Sequence, residues 1–100
     1  MTDANRYETY LRIVETLMGE KVPFESRVRR YFVARMICVY QMHLDGYRNC
    51  EIERQCGKSN HSTINMIDEM RFILDHPGMY QEEMKLWKQF QKRIDNDIHN

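Results

Sequence analysis

The sequence predicts an all-α domain of four to five helices with a helix-turn-helix at its centre. Three observations carry that expectation. Apolar residues recur at three- and four-residue spacing in every long segment, no stretch alternates with period two, and 4 Gly and 2 Pro leave few turns in 100 residues. A chain of this length supports one core. Its 42% hydrophobic and 30% charged residues strike a globular balance, not a disordered one.

Residues 4–18 place Tyr7, Tyr10, Leu11, Val14, Leu17 and Met18 at helical spacing, with Gly19 as the stop and 19–23 as a linker. The organisation is therefore an N-terminal helix and linker over 1–24, followed by a domain over 25–100. The first helix either packs on that domain or tethers it to another protein. A second helix is expected from Ser26 to Leu44, with Val28, Phe32, Val33, Met36, Ile37, Tyr40 and Leu44 as its apolar stripe and Asp45-Gly46 as the turn. A short helix from Cys50 to Cys56 follows, capped by Asn49, with Ile52 and Cys56 inward. After a tight turn at Gly57-Lys58, a helix opens at Asn60 with Ser59 or Asn60 as its cap. It points Ile64, Ile67, Met70 or Phe72, and Leu74 inward and ends before Pro77-Gly78. A last helix over 79–97 buries Tyr80, Met84, Trp87, Phe90, Ile94 and Ile98. These terminal aromatics read first as core. The second reading is a surface for a homodimer or a protein partner.

Several functional classes are disfavoured. The opening MTDANRYETY has no apolar run of signal-peptide length, and no stretch approaches the roughly 20 apolar residues of a membrane span. Three cysteines, Cys38, Cys50 and Cys56, form no paired framework and read as reduced thiols of a cytoplasmic protein, two of them at positions expected to be buried. His61 has no second ligand at metal spacing: Cys56 lies five residues before it, and His43 with Cys50 completes no pattern. No Ser-His-Asp signature or apolar carboxylate pair is present. The expectation is a binding protein without catalysis, cofactor or metal.

A short helix, a turn containing glycine and a polar-headed longer helix make up the helix-turn-helix arrangement. The second helix of such a pair lies in the major groove and offers its first residues to base edges. Here those residues are Asn60, His61, Ser62 and Thr63. A net charge of zero argues against strong non-specific polyanion binding. The charge is unevenly spread, however: residues 25–61 carry +3, against −1 before them and −2 after. Arg27, Arg29 and Arg30 fall at a helix start, where the macrodipole disfavours cations. Phosphates are the expected partners, and neutralisation by Glu20 and Glu25 is the rival explanation. Arg48 is a further phosphate candidate, and Arg35 faces either solvent or the backbone.

The run from Glu51-Ile52 through Gly57-Lys58-Ser59-Asn60-His61-Ser62-Thr63-Ile64 resembles the signature of the C-terminal DNA-binding domain of the bacterial replication initiator DnaA. That signature is an E-I stretch, an aromatic, a glycine pair, and R-D-H-[ST]-T before an apolar residue. Ala34–Tyr40 and Leu44 resemble the family's preceding long helix, so the likeness covers residues 26–75 and leaves the first 24 outside. It implies a Trp-repressor-like fold, double-stranded DNA as the partner, and a role in replication or transcription control. By position, the family's Asp falls at Asn60, its His at His61, and its Thr pair at Ser62 and Thr63. Its second Gly and its Arg fall at Lys58 and Ser59, which the resemblance marks as phosphate contacts. Its basic segment corresponds to 26–30, with the arginines out of register.

The departures change the expected readout. Asp accepts from cytosine N4, whereas Asn pairs bidentately with adenine, so a site different from the family's is predicted. Ser59 loses a guanidinium, and Lys58 beside it supplies only a point charge. No G-x-x-x-x-G-K-[ST] run occurs, which excludes ATP-driven origin melting for this chain alone. Zero net charge and Ser59 support the alternative of a protein-interaction module that kept the fold and lost DNA binding, using the aromatic helices at its two ends.

Overall fold

The computed structural model describes residues 5–98, with side chains through Asn96. Five helices and no strand occur among them: α1 (Arg6–Met18), α2 (Arg29–Leu44), α3 (Asn49–Cys56), α4 (Asn60–Asp75) and α5 (Gln81–Ile98). The all-α expectation holds. The anticipated core residue Ile98 lies outside the described side chains.

The N-terminal helix is part of the same core. Asn5 caps α1, its Oδ1 accepting from the Glu8 amide at 2.9 Å. Tyr7, Tyr10 and Val14, three and four residues apart, bury one face against α2, α3 and α5. The Asn5 Nδ2 donates to the Gln55 carbonyl, and the Gln55 side-chain oxygen accepts from the Tyr7 amide, both at 3.2 Å. One side chain on α3 thus satisfies an orphan donor at the start of α1.

Helix α2 differs most from its expected pattern. Every residue from Val33 to Met42 is buried, whereas Val28 and Leu44, assigned to its stripe, are exposed. A helix packed on several sides has no polar face to mark; α1, α3 and α4 pack on it, and Trp87 and Gln91 of α5 reach it through Tyr40 and Gln41. It also starts at Arg29, not Ser26. The Arg35 guanidinium donates to the carbonyls of Pro23 at 2.8 Å and Ser26 at 2.6 Å, and the Ser26 hydroxyl oxygen accepts from the Val28 amide. Residues 24–28 are thereby held as a strap, not a helical turn.

Smaller corrections follow the same logic. Arg48, not Asn49, is the residue before α3, and Gln81 opens α5 because 77–80 forms a turn, with the Tyr80 amide donating to Pro77 O. In α4 the buried set is Thr63, Met66, Ile67, Met70 and Ile73, so Ile64 and Phe72 point outward. α5 buries Trp87, Phe90 and Ile94 as expected, with Phe90 edge-on to Tyr10 at 5.4 Å.

Candidate nucleic-acid interface

The α3–α4 pair is joined by three residues whose geometry the sequence dictates. Gly57 ends α3 at φ 74, donating its amide to Glu53 O at 2.8 Å. A side chain there would be doubly opposed: the left-handed backbone disfavours a Cβ, and the added atom would stand 3.3 Å from the Phe24 ring. Ser59 then caps α4, its Oγ accepting from the Ser62 amide at 3.2 Å. The turn is short and closed on both sides, which fixes α4 relative to α3.

The four residues expected to face bases do not share a face. Asn60 and His61 are exposed, with no side-chain hydrogen bond among the described residues, and Ser62 is half-buried. Thr63 is 0% exposed, and its hydroxyl donates to Ser59 O at 3.0 Å. Thr63 is therefore corrected from a base contact to an inward-facing residue: three positions past Asn60 on α4, it falls on the stripe that packs into the core. It lies against Cys56, whose thiol is raised by burial, with hydrogen bonds from the Lys58 backbone and Thr63 opposing that shift.

Helical spacing brings up residues that inspection of the motif missed. Ile64, Asn65 and Asp68 are exposed one and two turns after Asn60 and His61, on the same outward side of α4. The outward face thus reads Asn60, His61, Ile64, Asn65, then Asp68 with Arg71 at 3.7 Å. Counting three and four residues on from His61 was the available signal. What hid it was the expectation that Ile64 belongs to the core.

The cations divide into engaged and available ones. Arg29 contacts Glu69 of α4 at 2.7 Å and Glu83 of α5 at 3.5 Å, and Arg30 contacts Glu20 at 2.8 Å beside the Tyr31 hydroxyl. Those contacts hold the Glu20 carboxyl below its ordinary value, Arg30 first and Tyr31 next. Glu20 does neutralise Arg30, but the partners of Arg29 come from helices distant in sequence, and Glu25 is not one of them. Lys58 sits over the Phe24 ring at 4.1 Å and donates to Phe24 O at 3.1 Å. Arg27 and Arg48 are exposed with no ion pair among the described residues. Arg48 and Lys58 lie at opposite ends of α3, a helix of eight residues spanning about 12 Å.

Between the strap and α4 runs a groove lined by Arg27, Arg29, Arg35, Lys58, Ser62 and Asn65, together with Glu25, Glu69, Phe32 and Met66. Among the described residues, no group of three His, Cys, Asp or Glu side chains is placed to hold a metal, and no helix is long and apolar enough to cross a membrane. No family model, curated protein or solved structure matches this chain.

Proposed function

We propose that the protein is a sequence-specific binder of double-stranded DNA of the helix-turn-helix kind, related over residues 26–75 to the DnaA C-terminal domain. The observation that carries the reading is the outward side of the first two turns of α4. Asn60, His61, Ile64 and Asn65 stand clear of the core there, directly after a short helix and a three-residue turn. The side chains suit a major groove. Asn60 and Asn65 match the donor–acceptor pair of adenine, His61 serves as donor or acceptor, and Ile64 suits a thymine methyl. Arg27, Lys58 and Arg48 serve as phosphate contacts, which position the helix without reading sequence.

The role is control of replication or transcription in the cytoplasm, where the three thiols stay reduced, by binding and not by catalysis. Fluorescence anisotropy with pooled random duplex DNA at about 50 and 200 mM salt tests this directly. Binding that falls steeply with salt supports the reading, and no binding at the lower salt removes it.

A protein-interaction module is the second reading, and two observations favour it. Arg29 and Arg30 are already engaged by carboxylates, and Phe72 and Met79 are exposed where α4 gives way to α5, Met79 at 68%. It predicts no DNA binding at either salt.

A further inference from the structure

Arg35 stands out among the cations of the groove because it is only 5% exposed and makes no ion pair among the described residues. Its two terminal nitrogens donate to the carbonyls of Pro23 and Ser26. Its Nε is buried without a hydrogen-bond partner. A guanidinium cannot shed its proton to escape burial. Buried charges are ordinarily paired, because leaving one uncompensated is costly. The two carbonyl contacts account for the strap over 24–28 but leave a full positive charge and one N–H without a counterpart.

Cations outnumber carboxylates two to one along the same groove, Arg35 included. Arg27 is exposed and unpaired among the described residues, and Lys58, Ser62 and Asn65 line the groove with it. Two carboxylates also line it, Glu25 and Glu69, and Glu69 is held by Arg29 at 2.7 Å. Four cations, Arg27, Arg29, Arg35 and Lys58, therefore face two carboxylates. Donors arriving from the strap, from α2 and from the start of α4 suit an anion with several oxygens pointing different ways.

We propose that this groove seats one phosphate-class anion, with the Arg35 Nε–H as its buried donor and Arg27, Lys58 and Ser62 as outer donors. A DNA phosphodiester and a free phosphate present the same chemistry, and the proposal rests on the DNA reading only for the source of the anion. Seating it opens the exposed hydrogen bond from Lys58 to Phe24 O and turns Nζ toward the anion.

Arginine Nε–H signals of the full-length protein report the seat directly. Two titrations are compared, one with inorganic phosphate against chloride at constant ionic strength and one with a random-sequence DNA duplex. The expected result is a saturable shift of the Arg35 Nε–H with at least one of them. Arg27→Gln, at an exposed position, should weaken that response about two- to fivefold without unfolding the protein. An Arg35 signal that stays still in both titrations, or that moves no more with phosphate than with chloride and not at all with duplex, overturns the proposal. A duplex that shifts the α4 amides while Arg35 stays still in both titrations overturns the seat and leaves the DNA reading intact. Phosphate that shifts Arg35 while the duplex binds nowhere supports the seat and removes the DNA reading.

Discussion

Arg29 Nη1 lies 2.7 Å from Glu69 Oε2, so a cation at the start of α2 is held by a carboxylate on α4, the helix proposed to enter the major groove. Both side chains are partly exposed, so the pair contributes little to stability. On the proposed DNA reading its consequence is for binding, since a phosphate must compete with Glu69 for Arg29. Glu69→Gln is therefore expected to strengthen binding to all duplexes alike and to steepen the salt slope by about one phosphate contact. Anisotropy across a salt series checks this, and an unchanged slope assigns Arg29 to the fold alone.

The outward face of α4 predicts where specificity resides. Asn60→Ala and Asn65→Ala should each relax preference at one base pair, losing about 1–3 kcal/mol of discrimination. A consensus selected with each variant is the measurement. Relaxation at two different positions about one helical turn of α4 apart is expected, and unaltered consensus sites in both variants would remove these contacts.

Thr63 behaves oppositely. Thr63→Val keeps the shape of a fully buried side chain but deletes the hydroxyl that donates to Ser59 O. It should cost about 1 kcal/mol of stability in urea denaturation while leaving the selected consensus as it was. A change of consensus with no loss of stability would return Thr63 to the interface.

Alkaline pH should destabilise the protein through α1. Burial, above all, raises the Tyr7 and Tyr10 hydroxyls, and the hydrogen bond to Asp45 adds to the shift for Tyr10. A group whose folded pKa lies above its unfolded one contributes stability that is complete below the unfolded value. That contribution disappears as pH rises toward the folded value. Stability should therefore begin to fall above about pH 10, the ordinary tyrosine value. Ultraviolet titration should show Tyr7 and Tyr10 ionising above the ordinary tyrosine range, and Tyr10→Phe should remove one tyrosine from that late class.

How much of this was legible in the sequence depends on how many sides of a helix are packed. α1 and α5 bury a single face each, and their apolar residues at helical spacing marked it correctly: Tyr7, Tyr10 and Val14 in one, Trp87, Phe90 and Ile94 in the other. α3 was also readable, because Ile52, Cys56 and Gly57 are the inward face and the stop of a short segment. α2 was not, because burial on several sides leaves Arg35 and Gln41 inside alongside Ile37 and Met42.

By itself, the sequence determined five helices, the turn at Gly57 and the polar opening of α4, because backbone propensity, capping and spacing are local. Only the tertiary structure decided which polar residues stay outside. The register of α4 against the core turns Thr63 inward and Asn65 outward. Chain folding brings Glu20, Glu69 and Glu83 to Arg29 and Arg30, and it buries Arg35 beneath the strap. Those outcomes depend on contacts between residues up to 54 positions apart, which local spacing does not encode.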